Sequence, residues 1–157
     1  MKYYSYKNLI YILLIVLVFG GLVFWNLNKN TAPTSSLEQP NVVINNTVIS
    51  VMVADEADEQ YQGLSDRESM NKDSGMLFVF PDYQVKTFVM RRMQFPLDII
   101  YIKDNKVVKI YKNLEPEGDN PVNKYTSPEP INYVLEINGG FSEVYGIEEG
   151  DEVEINL

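Results

Sequence analysis

Three kinds of side chain in this 157-residue chain could carry chemistry: isolated carboxylates in apolar runs, a small group of arginines, and an acidic loop. Asp98 stands in LDIIYI, where alternation puts it on one strand face with Ile100 and Ile102, opposite Leu97, Ile99 and Tyr101. Both faces are apolar, so the carboxylate needs donors or its pKa rises. The donors at hand are Arg91 and Arg92, with Arg67 a third, and arginine suits bidentate pairing with a carboxylate. Backbone N–H groups at the turn around Pro96 are the structural alternative. Glu136 lies in YVLEI on the face of Val134, and with Asp98 it could form a carboxylate pair of the glycosidase kind. The three arginines could equally form an anion pocket for carboxylate or phosphate, or be solvated strand charges. Glu115, Glu117, Asp119 and Asn120 could offer oxygens to calcium, although their spacing is not that of an EF-hand loop.

What is missing narrows the chemistry further. The chain has no histidine and no cysteine. Ser-His-Asp and Cys-His arrangements are therefore excluded, as are N/S zinc sites, disulfides and a lipid-modified N-terminal cysteine. No phosphate-binding glycine loop and no cofactor signature is present. All 22 acidic residues follow residue 30, with 10 basic ones, a formal charge of 10 − 22 = −12. A field of that sign disfavours nucleic acid and anionic membrane surfaces and leaves cations, cationic partners and neutral sugars compatible.

Three segments follow from the composition. Residues 1–27 read as a cytoplasmic start and a transmembrane signal anchor. Leu9 to Trp25 is an uncharged run of 17 residues, about 25 Å as a helix, which Asn8 and Asn26-Leu27 can extend. Lys2 and Lys7 precede the run, so the N-terminus is expected in the cytoplasm and the remainder outside. The alternative is a cleaved signal peptide, but the run exceeds the usual h-region and Asn30-Thr31-Ala32 is a poor cleavage site. Residues 28–41 (NKNTAPTSSLEQPN) read as a flexible stalk. Residues 42–157 form the extracytoplasmic domain.

Within that domain the elements are short. Strands are expected at Val42 to Ile44 and Thr47 to Val53 around an Asn45-Asn46 turn. Asp55 is expected to cap a helix through about Leu64. Further strands are expected at Met76 to Phe80 with a turn at Pro81-Asp82, then Thr87 to Met90, Leu97 to Ile102, Val107 to Tyr111, Tyr133 to Ile137 and Glu152 to Ile155. FSEVYG is a short helical turn, and residues 115–130 are a proline-rich loop. Eight or so short strands indicate an all-β sandwich or closed barrel with one or two short helices.

The ordered set Gly63-Leu64, Arg67, Gly75-Met76-Leu77-Phe78, Phe88, Met90, Pro96-Leu97-Asp98-Ile99, Tyr125, Ser127, Tyr133-Val134-Leu135-Glu136, Gly140, Gly146-Ile147 and Gly150-Asp151 resembles the signature of the family called domain of unknown function 192. It runs over residues 56–157. The resemblance implies a compact, jelly-roll-like β-domain and no particular reaction. On it, Tyr125 and Ser127 join the candidates, either lining a cleft or anchoring the long loop. Arg91 stands where the family usually has lysine, Arg92-Met93 replaces an Asn-Thr pair, and Val89 replaces a tryptophan.

Three functions are compatible with these residues. The first is an anchored extracytoplasmic domain that binds a small ligand or envelope protein without catalysis, its cleft bordered by Arg67, Arg91, Arg92, Asp98 and the 115–130 loop. The second is a carboxylate-based hydrolase or lyase acting on envelope carbohydrate through Asp98 and Glu136 or Asp119. The third is an accessory subunit of a membrane complex.

Overall fold

The computed structural model describes residues 39–157. The anchor and most of the stalk expected from the sequence lie outside these residues. Among the described residues no helix is long and apolar enough to cross a membrane. The strands are β1 (Asn41–Ile44), β2 (Thr47–Ala54), β3 (Ser74–Gln84), β4 (Thr87–Phe88), β5 (Leu97–Lys103), β6 (Lys106–Leu114), β7 (Tyr125–Thr126), β8 (Ile131–Asn138) and β9 (Val153–Asn156). Two short helices, α1 (Ala57–Gln62) and α2 (Phe141–Val144), complete the set.

Seven strands form one sheet in the order β6-β5-β8-β3-β2-β1-β9, and β4 pairs with β7 as a separate ribbon. All neighbours in the sheet are antiparallel except β2 and β3, which run parallel through the α1 crossover. The sheet curls until its two edges meet at one end only, where β6 begins. Lys106 bridges Glu152, and Val107 donates its N–H to the Asp151 carbonyl at 2.9 Å. The sandwich or barrel expected from strand spacing thus takes the form of a single curled sheet, a half-barrel.

Local chemistry sets the turns. Asn45 and Asn46 (φ 50° and 65°) and Asp104 and Asn105 (φ 49° and 60°) take the left-handed conformations that tight hairpins require and that Asn and Asp tolerate. The helix cap falls one residue later than Asp55. Glu56 is the N-cap, because the longer Glu59 side chain reaches back to the N–H groups of Asp55 and Glu56 in a capping box. The Pro81-Asp82 turn is a correction. The strand runs on to Gln84, and past the Ala54–Phe78 pair it has no β2 neighbour, so the missing proline N–H leaves no ladder bond unmade.

Alternation divides the apolar residues between two faces. Val42, Ile44, Leu77, Ile100, Leu135 and Ile137 fill the enclosed face, which Phe141 and Ile147 close. Met76, Phe78, Ile99, Tyr101 and Val134 fill the other face, beneath Leu64, Met90 and Met93. β5 lies between β6 and β8, and Leu97 to Ile102 is buried on both sides. That explains why neither of its faces is polar. The same alternation decides which carboxylate can reach a ligand.

Candidate ligand cleft

Asp98 has zero exposure and shares the enclosed face with Ile100 and Ile102. No arginine reaches it. Oδ1 accepts the N–H of Asn113 at 2.7 Å and of Gly140 at 2.9 Å, and Oδ2 accepts the N–H of Ser142 at 2.7 Å. The carboxylate therefore ties β6 and the start of α2 to β5. Of the readings open for Asp98, the backbone-donor one holds, but the donors come from residues 113, 140 and 142 rather than from the turn at Pro96. Asp98 is fully buried and lines neither of the two hollows described below, so the expectation that it borders the ligand cleft is corrected.

Glu136 sits on the opposite face. It stands across from Met76 on one side and Ile99 on the other, while Asp98 stands across from Ile137. Successive residues of a strand alternate, so the two carboxyl groups are separated by the sheet. The pair that a glycosidase needs in one cleft does not form. Glu136 is 5% exposed, and its side chain has no hydrogen-bond partner among the described residues. Burial pushes its pKa up to about 8.

That carboxyl forms part of the floor of a cleft of about 430 Å³. Phe78, Phe80 and Glu136 rise from the sheet; Ala57, Gln60 and Tyr61 come from α1; Lys86, Phe88, Arg91 and Met93 come from the segment before β5. Gly63 ends α1 with φ 52°, and a Cβ there would approach the Phe78 ring at 3.3 Å, so the glycine lets the helix end close onto the cleft. Ser65 Oγ donates to the Arg91 carbonyl at 2.9 Å and joins the two walls. The Arg91 guanidinium lies 4.3 Å from the centre of the Tyr61 ring, and its Nη2 donates to the Tyr61 carbonyl at 2.9 Å. Its Nε is buried without a partner among the described residues. Lys86 Nζ lies 4.1 Å from the centre of the Phe80 ring.

The other sequence candidates take different places. Arg92 (φ 50°) clasps the loop by a bidentate bond to Asp66, Nε–Oδ1 2.9 Å and Nη2–Oδ2 2.8 Å, which holds the Asp66 carboxyl below its usual range. Arg67 lines a separate hollow with Met52 and Met70, its Nη1 3.2 Å from the Met52 sulfur. Tyr125 and Ser127 do not line the cleft but position its wall. Phe88 pairs with Tyr125, the Ser127 N–H donates to the Lys86 carbonyl, and the Lys86 N–H donates to Ser127 Oγ. Glu117 accepts from the N–H and side-chain amide of Asn123, and the acids of this loop do not converge. Among the described residues no three acidic side chains gather as a metal site. Of the arginines and of the bordering residues expected around Asp98, only Arg91 reaches this cleft. Lys86 was missed, because nothing local marks a lysine beside a two-residue strand as a cleft residue.

The sequence profile of the DUF192 family, described as an uncharacterised conserved family, matches residues 41–155. No protein of curated function matches. Two crystal structures are similar. One is a candidate transcription regulator from Sinorhizobium meliloti 1021, at 30% identity, TM-score 0.69, covering 74% of this chain and 92% of that one. The other is a protein of unknown function from Novosphingobium aromaticivorans DSM 12444, at 34% identity, TM-score 0.67, covering 78% and 89%.

Proposed function

The chain belongs to the DUF192 family, and from that premise and the cleft we propose that it is a membrane-tethered, extracytoplasmic binding domain that takes a small organic ligand without transforming it. The observation that carries the reading is the aromatic cleft with the unpartnered Glu136 carboxyl in its floor. A concave hollow that sets apolar rings beside convergent polar groups is the usual form of a small-molecule site, and this one sets Phe78, Phe80 and Phe88 beside Lys86, Arg91 and Glu136. The absence of chemistry rests on the separation of Asp98 from Glu136, which leaves the cleft one carboxyl where acid–base hydrolysis of a glycoside uses two. Reading and bending DNA, as a regulator does, is disfavoured by a formal charge of −12 beyond residue 30.

Binding is tested on the full chain in lipid nanodiscs with ¹³C-methyl methionine. Titration with 3-phenylpropanol is expected to shift the Met93 methyl saturably and leave Met70, in the other hollow, in place. Ala57→Trp, at an exposed helix position on the cleft, should abolish the shift. A Met93 methyl unresponsive to the alcohol and to its carboxylate, phosphate and ammonium analogues would sink the reading.

The tether is proposed from the sequence: residues 9–25 cross the bilayer and Lys2 and Lys7 stay inside. The chain has no cysteine, so Val122→Cys, at an 84% exposed position, gives a single reporter thiol. It is expected to react with a membrane-impermeant maleimide in intact cells. Labelling only after lysis would place the domain inside and overturn the topology.

A further inference from the structure

Charge inverts inside the cleft. Beyond residue 30 the chain has 10 basic and 22 acidic residues, yet the charged residues that line the cleft are Lys86, Arg91 and Glu136. Neither cation has a carboxylate partner; the ion pairs among the described residues are Arg92–Asp66, Lys103–Glu129 and Lys109–Glu149. Arg91 also leaves its Nε buried and unbonded, and an unmade bond at a buried donor is costly. Glu136 does not meet this need, since burial keeps its carboxyl protonated near neutral pH and no cation holds it charged. Stacking on Tyr61 and Phe80 fixes both cations before any ligand arrives.

We propose that the cleft receives a molecule with an apolar body and an anionic head, a carboxylate or a phosphate, with the head held by Arg91 and Lys86 and the body against Phe78, Phe80 and Phe88. The Arg91 guanidinium, which has no carboxylate partner among the described residues, supplies charge and N–H donors that a carboxylate or phosphate oxygen accepts, and Lys86 adds a point charge. The protonated Glu136 carboxyl can donate to a further oxygen of the ligand. This assignment rests on the cleft being a ligand site and goes beyond it by naming the ligand's charge.

The test uses the full chain in zwitterionic nanodiscs and four probes that share one apolar body: 3-phenylpropionate, 3-phenylpropyl phosphate, 3-phenylpropanol and 3-phenylpropylammonium, each followed at the Met93 methyl. The two anions are expected to bind at least about tenfold more tightly than the alcohol, the scale of one charge-assisted bond. Arg91→Gln should erase that advantage, read as the ratio of anion to alcohol affinity within the variant. Arg91 also bonds the Tyr61 carbonyl, so Lys86→Gln serves as the second variant and should cut the anion advantage severalfold. Alcohol or ammonium binding as tightly as the anions, or Lys86→Gln keeping the full preference, would overturn the inference while leaving the cleft a ligand site. Silence of Met93 to all four probes would overturn both.

Discussion

Asp98→Asn is expected to lower the unfolding midpoint of the domain by about 10 °C, corresponding to a loss of roughly 3 kcal/mol for a domain of this size. The carboxylate is fully buried and accepts three backbone N–H groups, from Asn113, Gly140 and Ser142. Bonds to a charged acceptor contribute about 1.5–3 kcal/mol each, and leaving a buried donor unpaired costs about as much. An amide keeps one oxygen. If that oxygen serves Asn113 and Gly140, the NH₂ group faces the Ser142 N–H, donor against donor, and the start of α2 opens. Near-ultraviolet dichroism of the tyrosines follows the transition, since the single tryptophan, Trp25, precedes the domain. Amide exchange of Ser142 should quicken more than that of β3. A midpoint within 2 °C of wild type would show that the three bonds contribute little and that Asp98 is no scaffold.

The elements of the domain were legible because their signals are local. The Asn45-Asn46 and Asp104-Asn105 turns, the Met76 to Phe80 and Leu97 to Ile102 runs and the FSEV helix each declare themselves within a few residues. Pro81 misleads, because a proline ends a strand only where its N–H is needed, and that depends on β2 stopping at Ala54. The curl of the sheet and the parallel β2–β3 pair depend on long-range pairing, which strand spacing does not encode.

The site was legible in its parts and not in its arrangement. Asp98 and Glu136 were both recognisable as carboxylates in apolar strands, and alternation alone gives each a face. Which face carries the cleft is decided by α1 and the 86–93 segment, which cover the Glu136 side, and by α2 and Ile147, which seal the other. The donors that claim Asp98 lie 15, 42 and 44 residues away in the chain, beyond any motif. Arg91 and Arg92 are adjacent, yet the positive φ of Arg92 turns it to Asp66 at the surface while Arg91 lines the cleft.

Glu136→Gln is expected to act in the opposite sense from Asp98→Asn, raising stability at alkaline pH. Burial holds the folded carboxyl at a pKa of about 8, against an ordinary value of 4.5. Below pH 4.5 both folded and unfolded states are protonated, and the group makes no difference. Between 4.5 and 8 the unfolded chain releases the proton and the folded one keeps it, so stability falls as pH rises and levels off above 8. At about 1.36 kcal/mol per pH unit the full swing is of order 5 kcal/mol. Glutamine is neutral throughout, so the variant should match wild type within about 1 kcal/mol at pH 5 and exceed it by roughly 4 kcal/mol at pH 9. Asp66 and Glu149, whose pKa values are lowered by Arg92 and Lys109, lose their contribution only as pH falls below the ordinary carboxylate range. The window from 5 to 9 therefore isolates Glu136 from them. Denaturant unfolding at several pH values reads the difference directly, and parallel curves for the two proteins would show that Glu136 is solvated in the fold. A gain of that size at alkaline pH would show that glutamine serves the scaffold as well as the carboxyl does, in keeping with the binding role proposed for the cleft.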